Sequence, residues 1–73
     1  MREEFSGYEI ITNCQKRGDG RYSVSVVIER IIEGTSRKAL FTDTGISLFL
    51  EVEAEKESIN LGKNIILRGR AGF

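Results

Sequence analysis

Seventy-three residues with 11 basic and 11 acidic side chains make a small chain of zero formal net charge. A chain of this length buries only about 60% of its unfolded surface, which leaves a thin core and little room for a cleft between domains. With 40% hydrophobic and 30% charged residues the composition is that of a globular domain, neither disordered nor fibrous.

Missing residue types exclude several chemistries. Without histidine there is no histidine-dependent triad, no imidazole base and no imidazole metal ligand within the chain. The one cysteine, Cys14, cannot close an internal disulfide or build a thiolate-rich zinc site, and a lone thiol suits a reducing compartment. No apolar run approaches the roughly 20 residues of a membrane-spanning helix. The start, Met1-Arg2-Glu3-Glu4-Phe5, is charged and lacks the apolar stretch of a signal peptide, so a cytoplasmic location is expected. Proline is absent, and eight glycines punctuate the chain instead.

Residues 7–16 alternate, with Tyr8, Ile10, Thr12 and Cys14 on one side and Glu9, Ile11, Asn13 and Gln15 on the other. Period two with β-branched and aromatic residues predicts a strand. Arg17-Gly18-Asp19-Gly20 reads as a tight hairpin loop. Residues 21–32 form the clearest strand: Tyr22, Val24, Val26, Ile28 and Ile32 share one face, interrupted by Arg30. Ser23, Ser25, Val27, Glu29 and Ile31 share the other. Glu33-Gly34-Thr35-Ser36 supplies a second turn, and a shorter third strand is expected over 37–42.

Past Gly45 the period changes. Ala54, Ser58, Leu61 and Ile65, widened by Ile59, Gly62 and Ile66, make an apolar stripe opposite Glu53, Lys56, Glu57, Asn60, Lys63 and Asn64. That spacing predicts an amphipathic helix over 50–67, acidic at its start and ended by Gly69. Ile46, Leu48, Leu50 and Val52 also alternate, so 46–50 reads either as a fourth strand or as the first helical turn. The tail, 69–73, has no pattern and reads as frayed. These elements assemble into a single α+β domain, ββ(β)α: a three-stranded antiparallel meander with one C-terminal helix on one face.

Phe5-x-Gly7-Tyr8-x-Ile10, the Gly18-Asp19-Gly20 hairpin, Glu53-Ala54-Glu55 and Leu61-Gly62-Lys63-x-Ile65-Ile66 together resemble small uncharacterised bacterial proteins of the domain-of-unknown-function type. The resemblance spans about residues 5–67 and implies a ββ(β)α fold in a bacterial cytoplasmic protein. It implies no activity. Two looser fold analogies are the strand-and-helix half of double-stranded RNA-binding domains and the partial RNase-H-like fold of HicB-type antitoxins, which dock on a partner protein.

The candidate chemical groups each read more simply as structure. Arg17-Gly18-Asp19 spells an adhesion tripeptide but sits where a hairpin needs Gly and Asp. Cys14 has no basic partner beyond Lys16 or Arg17 and lies on the Tyr8–Ile10 side, as a small core residue does. Glu51, Glu53, Glu55 and Glu57 read as a solvated helix start. No glycine-rich loop has phosphate-cradle spacing. No catalytic residue, cofactor or metal is therefore expected.

Two binding surfaces follow. Ile11, Val27 and Ile31 fall on the side of the sheet that one helix cannot cover, and they are the expected contacts for a protein partner or a second copy in a homodimer. Lys16, Arg17, Arg21, Lys63 and Arg68 form the alternative, a local basic patch for an anion or nucleic acid. The sequence pI of about 6.3 argues against strong nucleic-acid binding.

Overall fold

The computed structural model describes residues 1–73. It contains β1 (Arg2–Phe5), β2 (Tyr8–Thr12), β3 (Tyr22–Ile32), β4 (Thr35–Leu48) and α1 (Glu51–Leu67). The strands form one antiparallel sheet in the order β1-β2-β3-β4, with α1 packed across one side. The architecture is the expected α+β meander with a C-terminal helix, but the sheet has four strands rather than three.

The additional strand lies at the N-terminus. Arg2 to Phe5 pair with Ile11 to Tyr8, closed by Ser6 and Gly7 at φ 51° and 81°. Both central residues are left-handed, as a two-residue type I′ hairpin requires, and that turn's right-handed twist matches the strands it joins. Glu33 and Gly34, at φ 50° and 78°, close β3 onto β4 in the same way. The strand expected over 7–16 is shorter: β2 ends at Thr12, and 13–21 form a longer loop pinned by the Lys16–Tyr22 bridge. Within that loop the Gly20 N–H donates to the Arg17 carbonyl, and the Arg21 N–H to Asp19 Oδ1. Arg17-Gly18-Asp19 is a turn.

The third predicted strand, 37–42, is the middle of a longer one. β4 pairs with β3 from Thr35 opposite Ile32 to Asp43 opposite Val24, then resumes with Ser47 opposite Ser23 and Leu48 opposite Tyr22. Thr44, Gly45 and Ile46 bulge between, where the Gly45 N–H donates to Asp43 Oδ1. Residues 46–48 thus continue this strand, and α1 begins at Glu51 behind the N-cap Leu50.

The core forms where α1 crosses the inner strands. Ile10, Val26, Ile28, Ile59 and Ala71 make a buried cluster, with Val24 and Ala54 also buried. Gly62 sets the spacing: a Cβ there would lie 2.7 Å from Ile10 Cγ2, so only glycine admits this approach of helix to sheet. One turn earlier, Ser58 fills a gap in the hydrogen-bond ladder. β2 stops at Thr12, leaving the Ser25 N–H without a strand partner, and it donates instead to Ser58 Oγ at 3.1 Å. That hydroxyl donates in turn to the Ala54 carbonyl at 2.7 Å, and Cys14 Sγ lies 3.1 Å away.

The tail does not fray. Gly69, at φ 67°, closes α1 in a Schellman motif, its N–H donating to the Ile66 carbonyl and the Arg70 N–H to that of Ile65. The chain then turns back under the helix. Ala71 is buried, the Phe73 ring packs 6.1 Å from Tyr8, and the Tyr8 hydroxyl donates to the Phe73 carbonyl. Tyr8 also carries the Arg30 guanidinium 4.9 Å above its ring, which accounts for the charge interrupting the apolar stripe of β3.

Candidate functional site

Strand pairing decides which side chains meet on the side of the sheet away from α1. Ile11 lies opposite Val27, and Val27 opposite Leu40, so three aliphatic side chains form one row across β2, β3 and β4. Paired residues on neighbouring strands place their Cβ atoms about 5 Å apart, so such a row is continuous. Ile11 and Val27 are half-buried by their neighbours, whereas Leu40 is 59% exposed. Ile31, 71% exposed, stands four residues along β3 from Val27, with Glu29 between them on the same side.

Charges border the row. Glu4, Glu9, Glu29 and Lys38 make the next row across all four strands. Arg2 Nε lies 2.8 Å from Glu9 Oε1, and Lys38 Nζ 3.2 Å from Glu29 Oε2. The hydrogen bond from Lys38, then that from Ser36, hold the Glu29 carboxyl below its ordinary pKa. A shallow depression of about 280 Å³ opens beside this row, lined by Glu4, Gly7, Tyr8, Glu9, Glu29, Arg30 and Ile31. No group of three or more His, Cys, Asp or Glu side chains converges closely enough to hold a metal ion.

Of the sequence-predicted contacts, Ile11 and Val27 are brought together and Ile31 is set apart from them. Leu40 was missed. Its signal was present in Lys38-Ala39-Leu40-Phe41-Thr42, where period two sends Ala39 and Phe41 to the helix side and Leu40 to the other. A run of three apolar residues conceals that alternation until the partner strand is known.

The five basic residues do not form one patch. Lys16, Arg17 and Arg21 belong to the β2–β3 loop, at the end where α1 starts; Arg21 stacks 4.6 Å over the Phe49 ring. Ser58 lies over Ser25, and Gly62 over Ile10, whose partner is Ile28, so α1 runs in the direction of β3 and carries Lys63 and Arg68 to the opposite end. Lys63 is also engaged, 2.6 Å from Glu3 Oε2 and over the Phe5 ring. Among the four helix-start carboxylates, Glu55 pairs with the N-terminal amine at 3.5 Å, while Glu51, Glu53 and Glu57 face solvent.

No helix is long and apolar enough to cross a membrane. No protein-family model, no curated protein and no solved structure matches this chain.

Proposed function

We propose that this chain is a non-enzymatic interaction module, of the bacterial cytoplasmic kind its sequence resembles, which holds a protein surface against the uncovered side of its sheet. The observation that carries this reading is the aliphatic row Ile11–Val27–Leu40, flanked by Ile31 and bordered by the Arg2–Glu9 and Lys38–Glu29 ion pairs. An apolar centre with a charged rim is the composition of a protein-binding patch. The division of the five cations between two ends of the molecule supplies nothing comparable for a phosphate backbone.

The test is the paired substitution Val27→Asp with Ile31→Asp, read by light scattering, by binding and by thermal unfolding. Loss of association or of partner binding in a variant that still folds is the expected outcome. A wild type that scatters as a strict monomer, with a double variant unchanged in stability and in binding, overturns the reading.

A further inference from the structure

The outer edge of β4 is a second surface, made of backbone groups. Only β3 neighbours β4, and from Thr35 to Asp43 the pairing runs residue for residue without a break. The direction of the free groups follows from the neighbouring strands. The Asn13 N–H donates to the Ser25 carbonyl, and the Ser23 N–H to that of Gln15, so odd-numbered β3 residues turn their backbone toward β2. Even-numbered β3 residues therefore turn theirs toward β4, where Arg37, Ala39, Phe41 and Asp43 receive them. The alternate residues Ser36, Lys38, Leu40 and Thr42 direct their N–H and C=O groups away from the sheet.

We propose that two copies of this chain pair β4 against β4, antiparallel, with Leu40 on the two-fold axis, joining two four-stranded sheets into one. This goes beyond the reading proposed above: it assigns a second copy to the edge of β4 and leaves the uncovered side to the protein surface proposed for it. A two-fold perpendicular to the sheet keeps each side with its like. It sets Leu40 opposite Leu40, Lys38 opposite Thr42, Ala39 opposite Phe41 and Arg37 opposite Asp43.

Two features select this register. First, centring the axis on a residue sets the outward-directed Lys38, Leu40 and Thr42 opposite other outward-directed residues in hydrogen-bonded pairs, which excludes registers centred between residues. Second, the charges are complementary. Arg37 and Asp43 form no ion pair within the protomer, and both lie on the helix side of the strand. Centring on Ala39 sets Arg37 opposite Phe41, and centring on Phe41 sets it opposite Gly45. Centring on Lys38 brings two lysines face to face, which is repulsive. Only the Leu40-centred register joins Arg37 to Asp43, twice by symmetry. On the helix side α1 packs mainly on β3 and touches β4 less, leaving Arg37 exposed and Asp43 half-buried.

Sedimentation and site-directed cross-linking test the proposal on the full chain. The wild type is expected at twice 8.2 kDa, with the Lys38, Leu40 and Thr42 amides protected from exchange. Arg37→Asp alone, or Asp43→Arg alone, is expected to weaken association on the order of tenfold or more, and the double reversal to restore it. In a Cys14→Ala background, Leu40→Cys is expected to oxidise to a covalent dimer, since paired Cα atoms at the axis lie about 5.5 Å apart. Lys38→Cys and Thr42→Cys are not, each lying about 14 Å from its own copy.

A wild type that stays at 8.2 kDa with a freely exchanging Leu40 amide overturns the proposal, as does preferential cross-linking at residue 38 or 42. A dimer indifferent to charge reversal but abolished by Ile31→Asp overturns edge pairing while leaving the interaction-module reading in place.

Discussion

β3 presents nearly the same chemistry to both sides of the sheet and meets opposite fates. Val24, Val26 and Ile28 lie under α1 and are at most 1% exposed, whereas Val27 is half-buried and Ile31 is 71% exposed. Residue type does not separate the two sets; position does. A single helix can cover one side of a four-stranded sheet, so the aliphatic residues of one strand become core or surface according to parity. Apolar side chains on the covered side therefore report on folding, and those on the other side on whatever surface is brought against them.

The largest expected difference between the two sides comes from matched truncations. Ile28→Ala removes a fully buried side chain and is expected to cost about 2–5 kcal/mol in denaturant unfolding. Ile31→Ala is expected to stay within about 0.5 kcal/mol. Equal costs at the two positions would break the comparison, since they would mean that Ile31 is covered in solution. Next in size is Gly62→Ala, which drives a methyl group into Ile10 and is expected to destabilise by about 1–3 kcal/mol. Combined with Ile10→Ala, which removes Cγ2 along with Cγ1 and Cδ1, it is expected to cost less than the sum of the two single losses, through coupling across the contact. Two additive losses would show that helix and sheet do not meet there.

The smallest effect belongs to the uncovered side. Glu29 is more acidic in the folded chain than an ordinary glutamate because Lys38 and Ser36 hydrogen-bond its charged form. A lowered folded pKa adds stability above the ordinary glutamate value, and that contribution is lost as pH falls through the lowered value. The stability gap between wild type and Glu29→Gln is expected to be small at neutral pH, to shrink on the acid side of the glutamate range, and to shrink with salt. A gap that does not change with pH removes the ion pair from the account of this side.

The sequence and the fold agree most where periodicity is long. Residues 21–32 alternate over a whole strand, and the stripe from Ala54 to Ile66 repeats over several helical turns. Both elements lie within about a residue of where the pattern puts them. β1 escaped because Arg2-Glu3-Glu4-Phe5 is too short and too charged to show a face; it exists through pairing with β2. β4 was cut short at Thr42 because Asp43-Thr44-Gly45 are turn residues, and here they make a bulge within the strand. For the candidate site, Ile11 and Val27 were legible from parity, while Leu40 needed its partner strand.

Composition and periodicity by themselves settled the class of fold, the antiparallel order of the hairpins, and that the chain holds no histidine and no internal disulfide. Those follow from local rules, in which side-chain alternation, turn chemistry and residue counts act within a few positions of one another. Tertiary structure alone decided that a charged N-terminal segment becomes a strand, that the tail is tied down by Ala71 and Phe73, and that five cations are parted to two ends. It also decided which apolar residues align on the uncovered side. These are pairings between residues far apart in the chain, and neither pattern nor propensity encodes which distant backbone groups will satisfy one another. The zero net charge of the chain belongs to both levels: it is a count in the sequence, and in the fold it becomes an acidic helix start beside one basic loop, with Arg37 and Asp43 left unpaired along the free edge of β4.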